Sequence, residues 1–179
     1  MVIDSSIINE FIDEAWPSKE VSLLPALREP QKRAKARLWV DFVNHKMAPP
    51  MYQLLLKQEK AEQRHYAAEL TSSLKSFAEA MEPEGPFFMG ESLGLVDIAL
   101  VPFSLRFYVL KHYRGFEVPT AGDEWQRFDQ WRRACENHPS VLATINYDPD
   151  KLCRLYKPYA TNNARSQGAK ALQENKPIP

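Results

Sequence analysis

The 179-residue chain contains only two cysteines, Cys135 and Cys153. Two cysteines are too few for a disulfide framework, and neither lies in a CxxC motif or a Cys/His cluster that could hold zinc. No apolar run reaches the ~18 residues that a membrane-spanning helix requires. We therefore expect reduced thiols, no bound metal, no membrane partner and a soluble protein of the cytoplasm.

The sequence also lacks an excess of either charge, because 23 lysines and arginines balance 23 aspartates and glutamates. Proteins that bind nucleic acid or an acidic membrane surface carry a basic field that attracts phosphate groups. A balanced chain offers no such field. We expect its partner to be a small molecule or another protein, and not a nucleic acid.

No segment shows the sustained two-residue alternation of a β-strand, and apolar residues instead recur at helical spacing. The chain is therefore predicted to be all-α, with one domain and a tail. In the first predicted helix, Ile8, Phe11, Ile12 and Ala15 form one apolar face. Pro17 ends that helix, because proline cannot donate a backbone hydrogen bond.

Further helices are predicted along the rest of the chain. Pro30 begins a long helix that Pro49 and Pro50 must break or kink. The last long helix begins at Pro149, after its cap residue Asp148. The other helices are expected at about 60–82, 95–111, 123–136 and 139–145. The sequence that follows is polar, which predicts a loosely packed tail.

The segment 95–111, "LVDIALVPFSLRFYVLK", is apolar almost all round, which is typical of a helix at the centre of a bundle. We expect it to be more buried than any other helix, with a bend at Pro102. Near its start, the Asp97 carboxylate can reach back to the N–H of the cap residue Gly94. Gly94 and Asp97 are therefore interpreted as structural residues.

Arg106 is a charged residue in this apolar segment, on the same face as Phe103. A buried arginine requires an anionic or polar partner, which is either an internal carboxylate or a bound ligand. Leu152, Tyr156 and Tyr159 form one stripe on the last long helix. The stripe is either core or the wall of a cleft, for which the polar tips of tyrosines are suited. No catalytic group is predicted.

Three ordered motifs of this sequence resemble the glutathione transferase family. The segment "DSSIINEFIDEAWPSKEVSLLP" resembles the family's junction between its thioredoxin-like domain and its helical domain. The segment "GLVDIALVPFSLR" resembles the central helix of the C-terminal domain, and "HPSVLATINYDPDKLCRLYKPYATN" is similar to the end of the omega class. The resemblance covers about residues 2–163 and implies a glutathione transferase C-terminal-type helical bundle.

The resemblance also implies how the chain is organised. Residues 1–16 correspond to the last helix of the thioredoxin-like domain, 17–29 to the linker, 30–163 to the helical domain and 164–179 to a tail. In the omega class, the catalytic cysteine and the cis-proline that grips glutathione lie upstream of the junction helix. We therefore expect a chain that has no catalytic residue of its own, because of truncation, a gene-model error or a deliberately short product. The "NNARSQGAKAL" run is similar to fungal omega-like transferases, some of which act in secondary metabolism.

Several residues match positions that bind ligands in the family. Asp4 and Ser5 match a Glu-Ser pair that meets the γ-glutamyl end of glutathione, so glutathione is the implied cosubstrate once the missing domain is supplied. The positions that match the hydrophobic-substrate cleft are Phe103, Arg106, Leu152, Tyr156 and Tyr159. The family forms two-domain dimers, which implies a homodimer here.

Two classes of function remain open at this stage. The first is an omega-like glutathione transferase that conjugates or reduces a small hydrophobic electrophile, with this chain as its substrate-binding domain. The second is a non-catalytic, transferase-like helical module for protein association or small-molecule carriage. The retained Arg106 and the aromatic positions favour a transferase or a carrier. The chain alone is predicted to be inactive.

Overall fold

A computed structural model describes residues 4–18, 22–145, 148–174 and 176. Across these residues the chain forms ten α-helices and one π-helical turn, with no β-strand, which confirms the all-α prediction. The helices are α1 (Ser5–Ala15), α2 (Pro30–Phe42), α3 (Ala48–Leu56), α4 (Lys60–Glu79), α5 (Leu95–Ser104), α6 (Phe107–Arg114), α7 (Asp123–Glu136), α8 (Pro139–Leu142), α9 (Pro149–Ala160) and α10 (Gln167–Gln173).

The predicted long helix is broken just before its two adjacent prolines. α2 ends at Phe42, and a π-helical turn over Val43–Met47 leads into α3. Pro49 and Pro50 lie in the first turn of α3, where a missing N–H group costs no helical hydrogen bond. The sequence predicted the break, but not the separate helix that follows it.

This unpredicted helix, α3, is the most buried in the described part of the chain. Seven of its nine residues are buried, against six of ten in α5. The expectation that segment 95–111 would be the most buried helix is therefore wrong. α3 is more buried because it packs against four other helices, α4, α6, α9 and α10. α5 instead leaves part of its surface facing a groove.

Segment 95–111 is also two helices rather than one bent helix. α5 ends at Ser104, two residues after Pro102, and α6 begins at Phe107. At the break, the Arg106 N–H donates to the Phe103 carbonyl at 2.9 Å, in a tighter turn than the α-helix makes. The carbonyl of Pro102 is thus available to another donor, and the Arg106 Nη1 group fills that place.

Asp97 holds the start of α5 to two other parts of the fold. Its carboxylate accepts a hydrogen bond from the Gly94 N–H at 2.8 Å, which is the contact that the sequence predicts. It also accepts from the Phe88 N–H at 2.9 Å and from Trp131 Nε1 at 2.7 Å. Asp97 is fully buried, so these three donors replace the water that the carboxylate has lost.

Among the described residues after α9, the helix α10 is packed, which corrects the expectation of a loose tail there. Ser166 caps α10, and Ala169 and Leu172 of this helix are buried against the rest of the fold. Gln53 Nε2 of α3 donates to the Leu172 carbonyl at 2.8 Å. Small residues let α10 approach α3 closely, which a search for large apolar residues does not detect.

α1 is attached to the bundle mainly through polar contacts. Glu10 pairs with Arg37 at 2.7 Å, and Asp13 accepts a hydrogen bond from the Leu23 N–H at 2.9 Å. None of the residues of α1 is buried. Its predicted apolar face exists, but its large members, Ile8, Phe11 and Ile12, are exposed.

Candidate functional site

Four aromatic rings from three helices meet around Tyr52 of α3. The centroid of the Tyr52 ring lies 6.3 Å from that of Phe103 on α5 and 6.1 Å from that of Tyr159 on α9. Tyr156 lies 5.8 Å from Tyr159. We call these four residues the aromatic cluster. It brings together three residues predicted from the sequence and adds Tyr52, which sequence reasoning missed.

Tyr52 gave no signal in the sequence because it lies in a helix that the pattern did not reveal. Burial, followed by the neighbouring Tyr156 hydroxyl, raises the pKa of Tyr52 to about 12. The Arg106 charge opposes this rise. Tyr52 therefore keeps its proton at neutral pH, and its hydroxyl shares a hydrogen bond with the Tyr156 hydroxyl.

Arg106 lies at the break between α5 and α6 and is half-buried. The sequence left open whether it meets an internal carboxylate or a ligand. Within the described residues, no carboxylate lies within ion-pair distance of Arg106, and its Nε has no hydrogen-bond partner. Its one acceptor is the Pro102 carbonyl. The internal ion pair is therefore absent from this part of the chain.

A groove of about 420 Å³ runs between α5 and α8, with Arg106 as its one charged lining residue. The other lining residues are apolar or carry a hydroxyl group: Leu93, Ile98, Val101, Pro102, Leu105, Ser140, Val141, Thr144 and Ile145. The rings of the aromatic cluster do not line this groove. Arg106 lines this groove, and its charge also acts on Tyr52 of the aromatic cluster. That Phe103, Arg106, Tyr156 and Tyr159 line one cleft stays a prediction.

Leu152 lies one turn before Tyr156 on α9 and is half-buried. It belongs to the same helix face as the two tyrosines of the aromatic cluster, as the stripe predicted. As an aliphatic side chain beside the rings, it extends the apolar surface of α9. Its role in binding a substrate stays a prediction.

Asp4 and Ser5 lie at the exposed start of α1. The Asp4 carboxylate accepts hydrogen bonds from the Ser6 N–H at 2.8 Å and the Ile7 N–H at 3.4 Å, and so caps the helix. Asn44 Nδ2, from the π-helical turn, donates to Ser6 Oγ at 2.8 Å. The capping role is clear in the structure, whereas the contact of Asp4 and Ser5 with glutathione stays a prediction.

The two cysteines do not offer a nucleophile. Both are free and buried, and burial raises the pKa of the Cys135 and Cys153 thiols. A thiolate is the reactive form, so a raised pKa makes both side chains unreactive at neutral pH. Among the described residues there is no group of three potential metal ligands and no helix long and apolar enough to cross a membrane.

The ordered helices and the position of the aromatic cluster define a domain of the glutathione transferase C-terminal type. Residues 25–139 match the family model described as the glutathione S-transferase, C-terminal domain. This chain belongs to the glutathione S-transferase family. The finding confirms the family resemblance and the fold class, while the omega-like class is a finer assignment that the family match does not make.

Individual relatives give the same picture. The chain is 31% identical over 151 residues to the protein named "Probable glutathione S-transferase parC" of Nicotiana tabacum. The matched residues make up 84% of this chain and 65% of that relative. The crystal structure of glutathione transferase Omega 3C from Trametes versicolor superposes with a TM-score of 0.74 at 34% identity, over 87% of this chain and 65% of that one. A rice transferase in complex with glutathione has a TM-score of 0.73 at 28% identity, over 87% and 68%.

The chain therefore spans about 65% of the length of the curated relative that it matches. The structure of the Trametes versicolor transferase is covered to the same extent. The helical domain is common to all these proteins, and the activity of a whole transferase is considered below as a proposal.

Proposed function

We propose that this chain is the substrate-binding helical domain of an omega-like glutathione transferase, which acts on a small hydrophobic electrophile with glutathione as cosubstrate. The observation that carries this proposal is the aromatic cluster, together with Arg106, which has no carboxylate partner among the described residues. These residues stand at the positions where the resemblance implies the wall of the hydrophobic-substrate cleft. An aromatic wall with few polar groups is the usual lining of a small-molecule site.

The chemical step requires groups that this chain does not offer. A transferase must stabilise the glutathione thiolate, or use its own cysteine thiolate, through donors placed near the sulfur. Both thiols of this chain are buried, and Asp4 and Ser5 would meet the opposite end of glutathione. We propose that a thioredoxin-like unit supplies the catalytic group and packs on the exposed face of α1.

The class and context of the protein belong to the same proposal. The similarity to a transferase named Omega 3C supports the omega-like class. Other similar proteins are plant transferases, including one described as Tau class from mango. A cytoplasmic location, a homodimer and a role in secondary metabolism are the remaining elements of the proposal. The location rests on the two unpaired cysteines and the lack of a long apolar run, and the other two rest on the sequence resemblance.

A complementation experiment tests the proposed function. The thioredoxin-like half of the Trametes versicolor Omega 3C transferase would be produced separately and mixed with this chain. Gel filtration would report the complex, and turnover would be measured with a chlorodinitrobenzene electrophile and with a mixed disulfide of glutathione. We expect turnover in the complex and in neither part alone. A stable complex without turnover on any electrophile would contradict the transferase proposal.

The non-catalytic carrier remains a second candidate, because the aromatic cluster can bind a ligand without glutathione. A matched control separates it from the transferase. Replacing Phe11 with Glu on α1 should prevent the complex with the thioredoxin-like half while leaving ligand binding at the cluster unchanged. Ligand binding that persists in an inactive complex would favour carriage.

A further inference from the structure

We propose that the aromatic cluster selects planar aromatic ligands that bear an anionic oxygen, with Arg106 binding the charge. This inference rests on the proposed function, because it takes the cluster as the wall of the substrate site. It adds the chemical class of the ligand and names the residue that determines it.

The rings of the cluster retain accessible aromatic surface. Tyr52, Phe103, Tyr156 and Tyr159 are each half-buried, in contrast to the fully buried Phe77, whose ring lies in the core. The Tyr52 and Tyr159 rings are tilted by 39°, and the Tyr52 and Phe103 rings are nearly perpendicular at 87°. A flat ligand can therefore lie against one ring while an adjacent ring contacts its edge, which are the two preferred aromatic geometries.

The charge of Arg106 is the distinctive feature of this region. Five arginines are half-buried in the described residues: Arg33, Arg106, Arg114, Arg127 and Arg132. Arg114 donates to four carbonyls and Arg127 to three. Arg33 has a carbonyl and a carboxylate, and Arg132 has two carboxylates. Arg106 has one carbonyl among the described residues.

A guanidinium group has five N–H donors in a planar fork that matches a carboxylate in two parallel hydrogen bonds. One contact to the Pro102 carbonyl leaves most of this capacity for another partner. Arg106 is also the one charged residue that lines the groove between α5 and α8. A half-buried cation with mostly apolar neighbours gains from an anionic partner, because those neighbours cannot pair with its charge.

Tyr52 adds a neutral aromatic ring close to this charge. Its ring contacts both Phe103 and Tyr159, so its position is fixed by two other helices. Its protonated hydroxyl is paired with that of Tyr156, so Tyr52 gives little preference between an acid and its amide. Arg106 should therefore determine the preference for charge, and the Tyr52 ring should contribute to the affinity of both kinds of ligand.

The test is equilibrium binding to the 179-residue chain, measured by calorimetry at neutral pH. Three probes separate shape from charge: 2-naphthoate, its neutral amide 2-naphthamide, and the flexible acid decanoate. We expect 2-naphthoate to bind roughly 10-fold more tightly than 2-naphthamide, as a charge-assisted hydrogen bond implies. We expect decanoate to bind more weakly than 2-naphthoate.

Matched variants assign the preference to Arg106. Arg106→Gln should reduce 2-naphthoate affinity by about 10-fold and leave 2-naphthamide affinity within about twofold. Arg154→Gln removes a positive charge from the exposed side of α9 and should change neither. Tyr52→Leu, which removes the ring, should weaken both ligands, and the control Tyr66→Leu neither. Should Arg106→Gln unfold the chain, Arg106→Lys keeps the charge without the fork and should retain part of the preference.

Several results would overturn the inference. One is equal affinity of the chain for 2-naphthoate and 2-naphthamide. Another is an equal loss of 2-naphthoate affinity in Arg106→Gln and Arg154→Gln. The third is no binding of either aromatic probe. Failure of the proposed function looks different, because an acid preference in this chain would stand even if the complex with a thioredoxin-like half were inactive. Conversely, an active complex without an acid preference would remove the inference and leave the transferase function intact.

Discussion

The two ends of this chain behave in opposite ways. α1 has a clear apolar face with Ile8, Phe11 and Ile12, yet none of its residues is buried. α10 lies in a polar segment, yet Ala169 is fully buried and Leu172 is 4% exposed. The apolar face of α1 predicts packing, but that face is exposed. The polar sequence after α9 predicts a loose segment, but α10 is packed.

This difference shows what helical periodicity does and does not report. Periodicity identifies the apolar side of a helix, but it does not show whether another element covers that side. α10 packs against α3 because the Gln53 side-chain amide of α3 donates a hydrogen bond to the Leu172 carbonyl. The small residues of α10 also allow the two helices to approach each other closely. The following predictions test the contrast between the two ends, from the largest expected effect to the smallest.

The largest effect concerns glutathione chemistry at the α1 end. The chain alone should show no measurable thiol transfer or glutathione-dependent reduction, and a glutathione dissociation constant no lower than about 1 mM. The reason is that only Asp4 and Ser5 are available, and the Asp4 carboxylate already caps α1. Calorimetry with glutathione and an assay with a model electrophile measure this. Micromolar binding or clear turnover would contradict the prediction.

The buried residue Asp97 gives a reference value for the stability changes expected at the two ends. Asp97→Ala should lower the free energy of unfolding by about 3 kcal/mol, because the N–H groups of Phe88, Gly94 and Trp131 lose their shared acceptor. This exceeds the roughly 0.5–2 kcal/mol of a helix cap alone. Denaturant melts measure the loss, and a titration with 2-naphthoate should show unchanged affinity. A binding defect at full stability would refute the structural role of Asp97.

At the α10 end, Leu172→Ala should cost about 2–3 kcal/mol, since the side chain is buried and its removal leaves a cavity. The control is Leu155→Ala on α9, where the leucine is 63% exposed and the cost should be less than about 0.5 kcal/mol. Urea melts of the two variants give both values. Equal stabilities would mean that α10 does not pack in solution.

The smallest effect on stability belongs to the α1 face. Ile8→Ser should lower the free energy of unfolding by no more than about 1 kcal/mol, because the side chain is 37% exposed and only partly covered. The same change should weaken association with a thioredoxin-like half in the complementation experiment. A large loss of stability in the isolated chain would show that this face is already covered.

Much of the fold could be predicted from capping residues and prolines. The starts of α2 and α9 were predicted at Pro30 and Pro149, and the bounds of α7 as 123–136. These signals are local, so neighbouring residues are enough to interpret them. α3 was missed because Pro49 and Pro50 were interpreted only as the end of a helix, although proline is also common in the first turn of a helix.

The candidate site was predictable to a similar degree. Phe103, Tyr156 and Tyr159 were found through a family resemblance and a stripe on α9, and they do meet. Tyr52 connects them through contacts between residues about 50 and 107 positions apart, which no local pattern encodes. That no carboxylate of the described residues pairs with Arg106 likewise depends on where the carboxylates of other elements lie.

One consequence follows from Arg114, at the end of α6. Its guanidinium donates to the carbonyls of Leu54 and Leu55 at the end of α3 and to that of Ala160 at the end of α9. The helix that carries Tyr52 and the helix that carries Tyr156 and Tyr159 are thereby joined at their C-terminal ends. The rings of the aromatic cluster are thus held in place by contacts within the protein. Under the proposed function, binding would cost mainly the ligand's own freedom, and rigid planar molecules, which have the least to lose, would be favoured over flexible ones.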